Sequence, residues 1–282
     1  MSSHRKPKKA DISFWEERRG TIHAQKGGWV IGEAVYNQGF SMLDDLVGEA
    51  SFFQVLVLNA IGRLPERRLA DWLEAFFICL SWPDHRVWCN QMGSLGGAMR
   101  TTPVAAVTAG ILASDATLYG PATLTRAAEF FAEAVALSRG GLSPAQIIQK
   151  KQRRPGSKPM IVGYARPVAS GDERVAAMER VTEKLAFVPG EHLLVAYEIE
   201  KLMSEDFGEG MNIGGYTAAF LSDQGLSPEE MYRVSSVLVC SGVHACYAET
   251  AAQPTESFFP LRCNDIDYQG PAERSVPDQC RD

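Results

Sequence analysis

The 282-residue sequence is most restrictive in what it lacks. No wholly apolar run approaches the roughly 18 residues that a spanning helix requires, so a transmembrane helix is not expected. The opening stretch (Ser2, Ser3, His4, Arg5, Lys6, Pro7, Lys8, Lys9) carries charge with no apolar core behind it, which fits neither a signal peptide nor an anchor. Its six cysteines, Cys79, Cys89, Cys240, Cys246, Cys263 and Cys280, include no C-x-x-C pair, and three of them sit in apolar helical patterns, so reduced thiols and a cytoplasmic location are expected. Positive charge is not in excess. A net charge of −6 argues against a nucleic-acid partner, because duplex affinity rests on a basic surface. No His/Cys/Asp/Glu spacing suggests a metal site, and there is no phosphate-binding loop, dinucleotide fingerprint or Gly-x-Ser-x-Gly elbow, which disfavours metal and nucleotide cofactors. Internal repeats are absent as well.

What is present is ordinary for a globular protein with a sizeable core: 45% hydrophobic and 22% charged residues. Residues 1–12 read as a disordered basic tail. Glycine-broken pieces follow, with strand-like Trp29-Val30-Ile31 and Val35-Tyr36 predicting a small hairpin, then a helical run over 41–46. Helices are predicted over 52–61 and 66–80, the second from Leu69, Trp72, Leu73, Phe76, Phe77 and Leu80 at spacings of three and four. From 91 to 118 the chain is rich in Gly and Ala, which suits either a tightly packed helix pair or a subunit interface. Further helices are expected over 124–137, from Ser143-Pro144 to 149, and over 173–185, 191–203 and 216–222. A last long helix opens at Ser227-Pro228 and runs to about 249. About a dozen helices and little strand make the fold class all-α.

The stretch from Met160 to Arg174 stands apart. A short apolar run ends at Gly163, Tyr164 and Arg166 follow, Pro167 fixes the backbone, and Asp172 is a good N-cap for a helix opening at Glu173. Backbone N–H groups and two arginines in one place describe an anion pocket. Five cations, Lys150, Lys151, Arg153, Arg154 and Lys158, lie just before it.

This stretch resembles the Pro-Gly-Phe/Tyr-Gly-His-Pro-Val…Asp-Pro-Arg signature of the citrate synthase family, matched by Gly163, Tyr164, Pro167, Val168, Asp172 and Arg174. Weaker matches follow in the family's order: Gly39-Phe40-Ser41 with Leu46 to Phe52, Gly62-Arg63-Leu64-Pro65, Pro83-Asp84-His85, Tyr119-Gly120-Pro121, and Asn212-Ile213 with Tyr216. The chain is short and lacks the family's long N-terminal helical extension, so it looks closest to the compact citryl-CoA-lyase-like members.

The resemblance implies a two-domain helical fold with a ligand cleft between a large domain (13–122 and 214–282) and a small one (123–213). It also implies a coenzyme A thioester as co-substrate, a small carboxylic acid and a homodimer. His85, Arg174 and Arg262 fall on carboxylate ligands, Arg262 being the one a partner subunit contributes. Gly163, Tyr164, Arg153 and Arg154 fall where CoA is approached. The family's three catalytic groups do not survive: the enol-stabilising histidine falls on Thr123, the carbonyl-polarising histidine on Arg166, and the basic aspartate on Gly214. A helix arginine of the family falls on Val239. General acid–base groups contribute about 10²–10⁴-fold each, so standard condensation is expected to be lost. Thr123 can donate a hydrogen bond and Arg166 is a fixed cation; Gly214 can do neither, and Glu209 is the nearby carboxylate that could replace the base. Two functions follow: an acyl-CoA-linked carbon–carbon lyase or transferase with a rewired site, or a catalytically silent acid- and CoA-binding subunit.

Overall fold

The computed structural model describes residues 11–166 and 171–276; the expected tail up to residue 10, Pro167, Val168 and Cys280 lie outside the described residues. The described residues fall into two compact units, one within Met1–Cys79 and Thr117–Ser236, the other within Leu80–Ala116 and Val237–Asp282. Helices dominate both, and among the described residues the strands form one three-stranded sheet. No described helix is long and apolar enough to cross a membrane.

The first unit begins with a short α1 (Ser13–Glu16) and the hairpin that the sequence predicts, β1 (Gly27–Val30) antiparallel to β2 (Ala34–Asn37), with β3 (Phe40–Ser41) alongside. The helical run expected over 41–46 is a π-helical turn, Met42–Leu46, capped by the Ser41 hydroxyl, which accepts from the Asp44 amide. α2 (Phe52–Ile61) starts at a reciprocal Ser51/Gln54 capping box and stops at Gly62 in the left-handed conformation. α3 (Arg67–Cys79) buries Ala70, Trp72, Leu73, Phe76 and Phe77, the face that the spacing predicts.

α6 (Pro121–Arg139), α7 (Pro144–Lys150), α8 (Glu173–Lys184), α9 (Glu191–Phe207), α10 (Ile213–Asp223) and α11 (Pro228–Val234) complete this unit. Its centre is aromatic: Trp72 stacks on Phe220 with ring centroids 4.0 Å apart. The indole N–H is not wasted there, since it donates to Thr182 Oγ1 at 2.8 Å, and that hydroxyl lies 2.8 Å from Tyr216 Oη. A buried Trp or Tyr needs such a partner, and here two satisfy each other through one threonine.

The second unit holds α4 (Trp88–Ala98), α5 (Pro103–Ser114), α12 (Cys240–Ala251) and a 3-10 turn, Cys263–Asp265. The small residues of 91–113 are used inside it. A Cβ on Gly93 would stand 2.4 Å from Val243 O, and one on Gly97 2.4 Å from Tyr247 O, so α4 and α12 approach closer than any side chain allows. The long helix expected from 227 to 249 is two. α11 ends at Val234, and Ser235 to Val239 form turns before α12. Two serines and two valines in that stretch are poor helix formers, and the Ser235 hydroxyl is buried without a hydrogen-bond partner. The break coincides with the change of unit at Ser236.

Candidate functional site

Residues 163–165 are fixed by backbone contact with the segment that leads into α10. Tyr164 bridges Met211, the Asn212 amide donates to Gly163 O at 2.9 Å, and the Ala165 amide donates to Gly210 O at 3.0 Å. This requires glycine at two places. Gly163 has φ +105°, and a Cβ on Gly215 would lie 2.2 Å from Gly163 O. Tyr164 turns its ring into the core, where its hydroxyl donates to Ala196 O at 2.7 Å and burial pushes the phenol well above its usual range. The tyrosine of the signature is therefore an anchor, its side chain buried in the core. Ala165 takes φ +78°, a conformation costly for a residue with a Cβ, and the Asn212 side-chain amide holds its carbonyl at 2.8 Å. The loop is thus over-determined up to Arg166.

Beyond the undescribed residues 167–170 the chain meets the same ground through Asp172. Its fully buried carboxylate accepts Arg174 Nε at 2.8 Å and Nη2 at 2.7 Å, a fork-on-fork pair, and also the amides of Arg174 and Ile213. One carboxylate therefore caps α8 and ties it to the start of α10. Burial alone would raise the Asp172 pKa, but the Arg174 guanidinium and the Ile213 amide outweigh it and leave the group below its ordinary value. Burial opposes the charge of Arg174 too, yet the bonds to Asp172 raise its pKa on balance. Beside the pair the Cys79 thiol is pushed up, by burial foremost, with Arg174 opposing.

Arg166 stands on the other side of Asp172. Its Nη1 donates to Glu173 Oε2 at 2.6 Å and lies 3.8 Å from Asp172 Oδ1. The side chain of Arg166 is 16% exposed and that of Glu173 72%, so a mostly buried cation is held by a carboxylate reaching in from solvent. The bond from Arg166 is the main reason that Glu173 titrates below its ordinary value.

The other expected residues of this unit are more scattered. Thr123, in the first turn of α6, donates its hydroxyl to Gly120 O at 2.7 Å. Gly214 lies in the first turn of α10, whose N-cap Asn212 accepts the Gly215 amide at 3.0 Å. Glu209, the replacement base considered from sequence, is ion-paired with Lys158. Lys151 pairs with Glu133 at 2.6 Å, while Arg153 and Arg154 are exposed in the turn after α7. A recess of about 310 Å³ lined by Gln146, Gln149, Gln152, Gly156, Leu202 and Phe207 lies along this turn.

In the second unit His85 uses both ring nitrogens. Nδ1 is 2.6 Å from Ser94 Oγ and Nε2 3.1 Å from Glu249 Oε2. Arg262 is exposed at the start of the 3-10 turn, its amide donating to Asp265 Oδ2 at 2.7 Å. Sequence reasoning passed over Glu173 and Glu249. Glu173 was legible as the neighbour of the N-cap that the macrodipole favours there, whereas nothing local marks Glu249 as a partner of His85. A common pattern emerges: Arg166, Arg174 and His85, the groups suited to an acid, each rest on a carboxylate of their own chain.

Comparison with family models and with curated protein sequences gives no match. Solved structures do match. The citryl-CoA lyase of Hydrogenobacter thermophilus superposes with a TM-score of 0.76 at 22% identity, over 93% of this chain and 99% of that one. The ATP citrate lyase of Methanothrix soehngenii, in complex with citrate and coenzyme A, gives 0.74 at 17%, over 95% of this chain and 45% of that one. The citrate synthase of Thermoplasma acidophilum, in a ternary complex with carboxymethyl coenzyme A and oxaloacetate, gives 0.58 at 18%, over 82% of this chain and 60% of that one. At these identities the likeness is one of fold: the chain is all-α and folds like citryl-CoA lyase and citrate synthase.

Proposed function

We propose that the chain binds a CoA thioester and a small di- or tricarboxylate and breaks or forms a carbon–carbon bond between them, with a site altered from that of a standard citrate synthase. The observation that carries this reading is the loop ending at Arg166. Two glycines in backbone contact, a left-handed Ala165 and the Asn212 amide hold it, and it delivers a cation whose nearest partner is an exposed glutamate, with Asp172 farther off at 3.8 Å. Such preorganisation suits stabilisation of developing negative charge.

In the cleavage direction the hydroxyl beside the breaking carbon–carbon bond gives its proton to water and becomes a carbonyl, while the electron pair of that bond stays on the carbon next to the thioester. The resulting enolate oxygen takes hydrogen bonds from Arg166, with Thr123 as second donor once its hydroxyl turns from Gly120 O, and the enolate carbon takes a proton back from water. That direction needs no aspartate at the place of Gly214 to make the enolate. Arg174 and His85 are the carboxylate ligands, and Arg262 serves a second copy in a homodimer. Arg153 and Arg154 meet the CoA phosphates, and Gly163 and Tyr164 shape the loop that lies against the thioester. Trp88, Met99, Val104 and Leu112 are exposed apolar residues on or beside α4 and α5, and they are the surface that such a dimer would cover.

One observation favours a second reading, the silent acid- and CoA-binding subunit. Arg174 already has two of its N–H donors engaged by Asp172 in a bidentate pair. Thermal-shift measurements with CoA, acetyl-CoA, citrate and oxaloacetate, followed by mass spectrometry of citryl-CoA incubations, separate the two. Stabilisation with product formation is expected. Stabilisation without turnover selects the silent subunit, and no stabilisation by any of the four overturns the proposal.

A further inference from the structure

In the second unit His85 cannot meet an acid as it stands. An imidazole offers each ring nitrogen one in-plane hydrogen bond, and both are taken, Nδ1 by Ser94 Oγ at 2.6 Å and Nε2 by Glu249 Oε2 at 3.1 Å. The two partners differ in how firmly they are held. Ser94 is fully buried, and its hydroxyl also lies 3.1 Å from Asn90 O. Asn90 in turn donates to Trp82 O at 2.9 Å and to Asp84 O at 3.0 Å, which fixes the loop on which His85 sits. The contact at Nδ1 is built into the packing.

The contact at Nε2 is fixed at its root and free at its tip. The end of α12 is clamped: Thr250 Oγ1 donates to Ser94 O at 2.8 Å, and the Arg100 guanidinium bonds the carbonyls of Ala251 and Gln253. The same Ser94 thus holds the His85 ring by its hydroxyl and α12 by its carbonyl, so the backbones of His85 and Glu249 keep their spacing. The Glu249 side chain, however, is 61% exposed against 30% for His85. A rotation within the side chain carries its carboxylate into water, and an exposed pair of this kind is weakly held.

We infer that Glu249 is a specificity-determining residue, an internal carboxylate that occupies His85 Nε2 in the empty protein and leaves when a ligand carboxylate takes its place. This rests on the proposed acid-binding function and adds a rule of selection to it. A ligand gains from His85 only if its own carboxylate outcompetes that of Glu249, and the departed side chain then stands beside the site as a negative charge that disfavours surplus charge on the ligand. Neutral or thioester groups have no means of displacing it.

The test is calorimetric titration of the full chain with citrate, for the wild type, Glu249→Ala, His85→Asn and the double variant. Removing the internal occupant is expected to tighten citrate binding about two- to fivefold, the range a weak surface pair corresponds to, and the gain is expected to vanish in the His85→Asn background. Equal or weaker binding by Glu249→Ala overturns the inference while leaving the acid-binding function standing. A gain that persists without His85 also overturns it, since a general charge effect then explains the result. If neither wild type nor Glu249→Ala binds citrate or, in a parallel titration, oxaloacetate, the acid-binding function itself falls and takes the inference with it. Should His85→Asn fail to fold, the ring nitrogen signals of His85 in the wild type decide: citrate is expected to move Nε2 and leave Nδ1 in place, and an unmoved Nε2 refutes the exchange.

Discussion

Asp172→Ala is the perturbation whose size the structure fixes best. The substitution removes the side chain that joins Arg174, the first turn of α8 and the Ile213 amide, and it strands Arg174 without its bidentate partner. Breaking one side of a buried pair costs about 3–5 kcal/mol, and losing an N-cap adds about 1 kcal/mol. Against this, the Arg174 side chain is 26% exposed, so water recovers part of the freed cation's solvation. A net loss of about 3 kcal/mol is expected, or roughly 6 °C in melting temperature at about 2 °C per kcal/mol for a chain of this size. Urea unfolding at neutral pH measures it. The pH dependence carries a sign: because the folded pKa of Asp172 lies below its ordinary 3.8, its contribution is complete above that value and is lost as pH falls through the lower, folded one. The wild-type advantage over Asp172→Ala is therefore expected to be constant near neutrality and to shrink in strong acid. A loss below about 1 kcal/mol at pH 7 would refute the view that this carboxylate organises the loop.

Gly215→Ala is expected to destabilise by about 1–3 kcal/mol through overpacking against Gly163 O, read as a lower urea midpoint; an unchanged midpoint would mean that the two segments do not touch. Arg166→Ala removes a pair with an exposed glutamate, worth about 0–1 kcal/mol, so the apo melting temperature is expected to hold within a few degrees while stabilisation by citrate or acetyl-CoA is lost. Strong apo destabilisation would make Arg166 a structural residue instead. Light scattering at micromolar concentration is expected to give twice the chain mass, and a clean monomer would remove Arg262 from the acid-binding set.

The fold was legible where local chemistry decides it. The spacing of Leu69, Trp72, Leu73, Phe76 and Phe77 marks the buried face of α3, and Ser51, Ser143 and Ser227 announce the helices they cap. Legibility failed at Ser235 to Val239, where apolar periodicity continues across a break that only the packing reveals. In the candidate site the sequence marks Arg166, Arg174 and His85 as cations or donors, but not the carboxylates on which they rest. Asp172 sits two residues from Arg174 and could be read as a cap. The pairing of Glu249 with His85 depends on α4 and α12 meeting across most of the chain, which no window of sequence contains.

That meeting of α4 and α12 also sets an order of events during synthesis. The glycine seam formed by Gly93, Gly97 and Gly110 is covered by residues of α12, among them Val243 and Tyr247. Ribosomes deliver about 5–20 residues per second, so α4 and α5 emerge roughly 6–25 s before the helix that fills their groove. Through that interval a stretch of backbone with almost no side chains of its own to close over it faces water or whatever else is near. The second unit can be finished only after α12 appears, so the nascent chain carries an open apolar seam for nearly half of its translation.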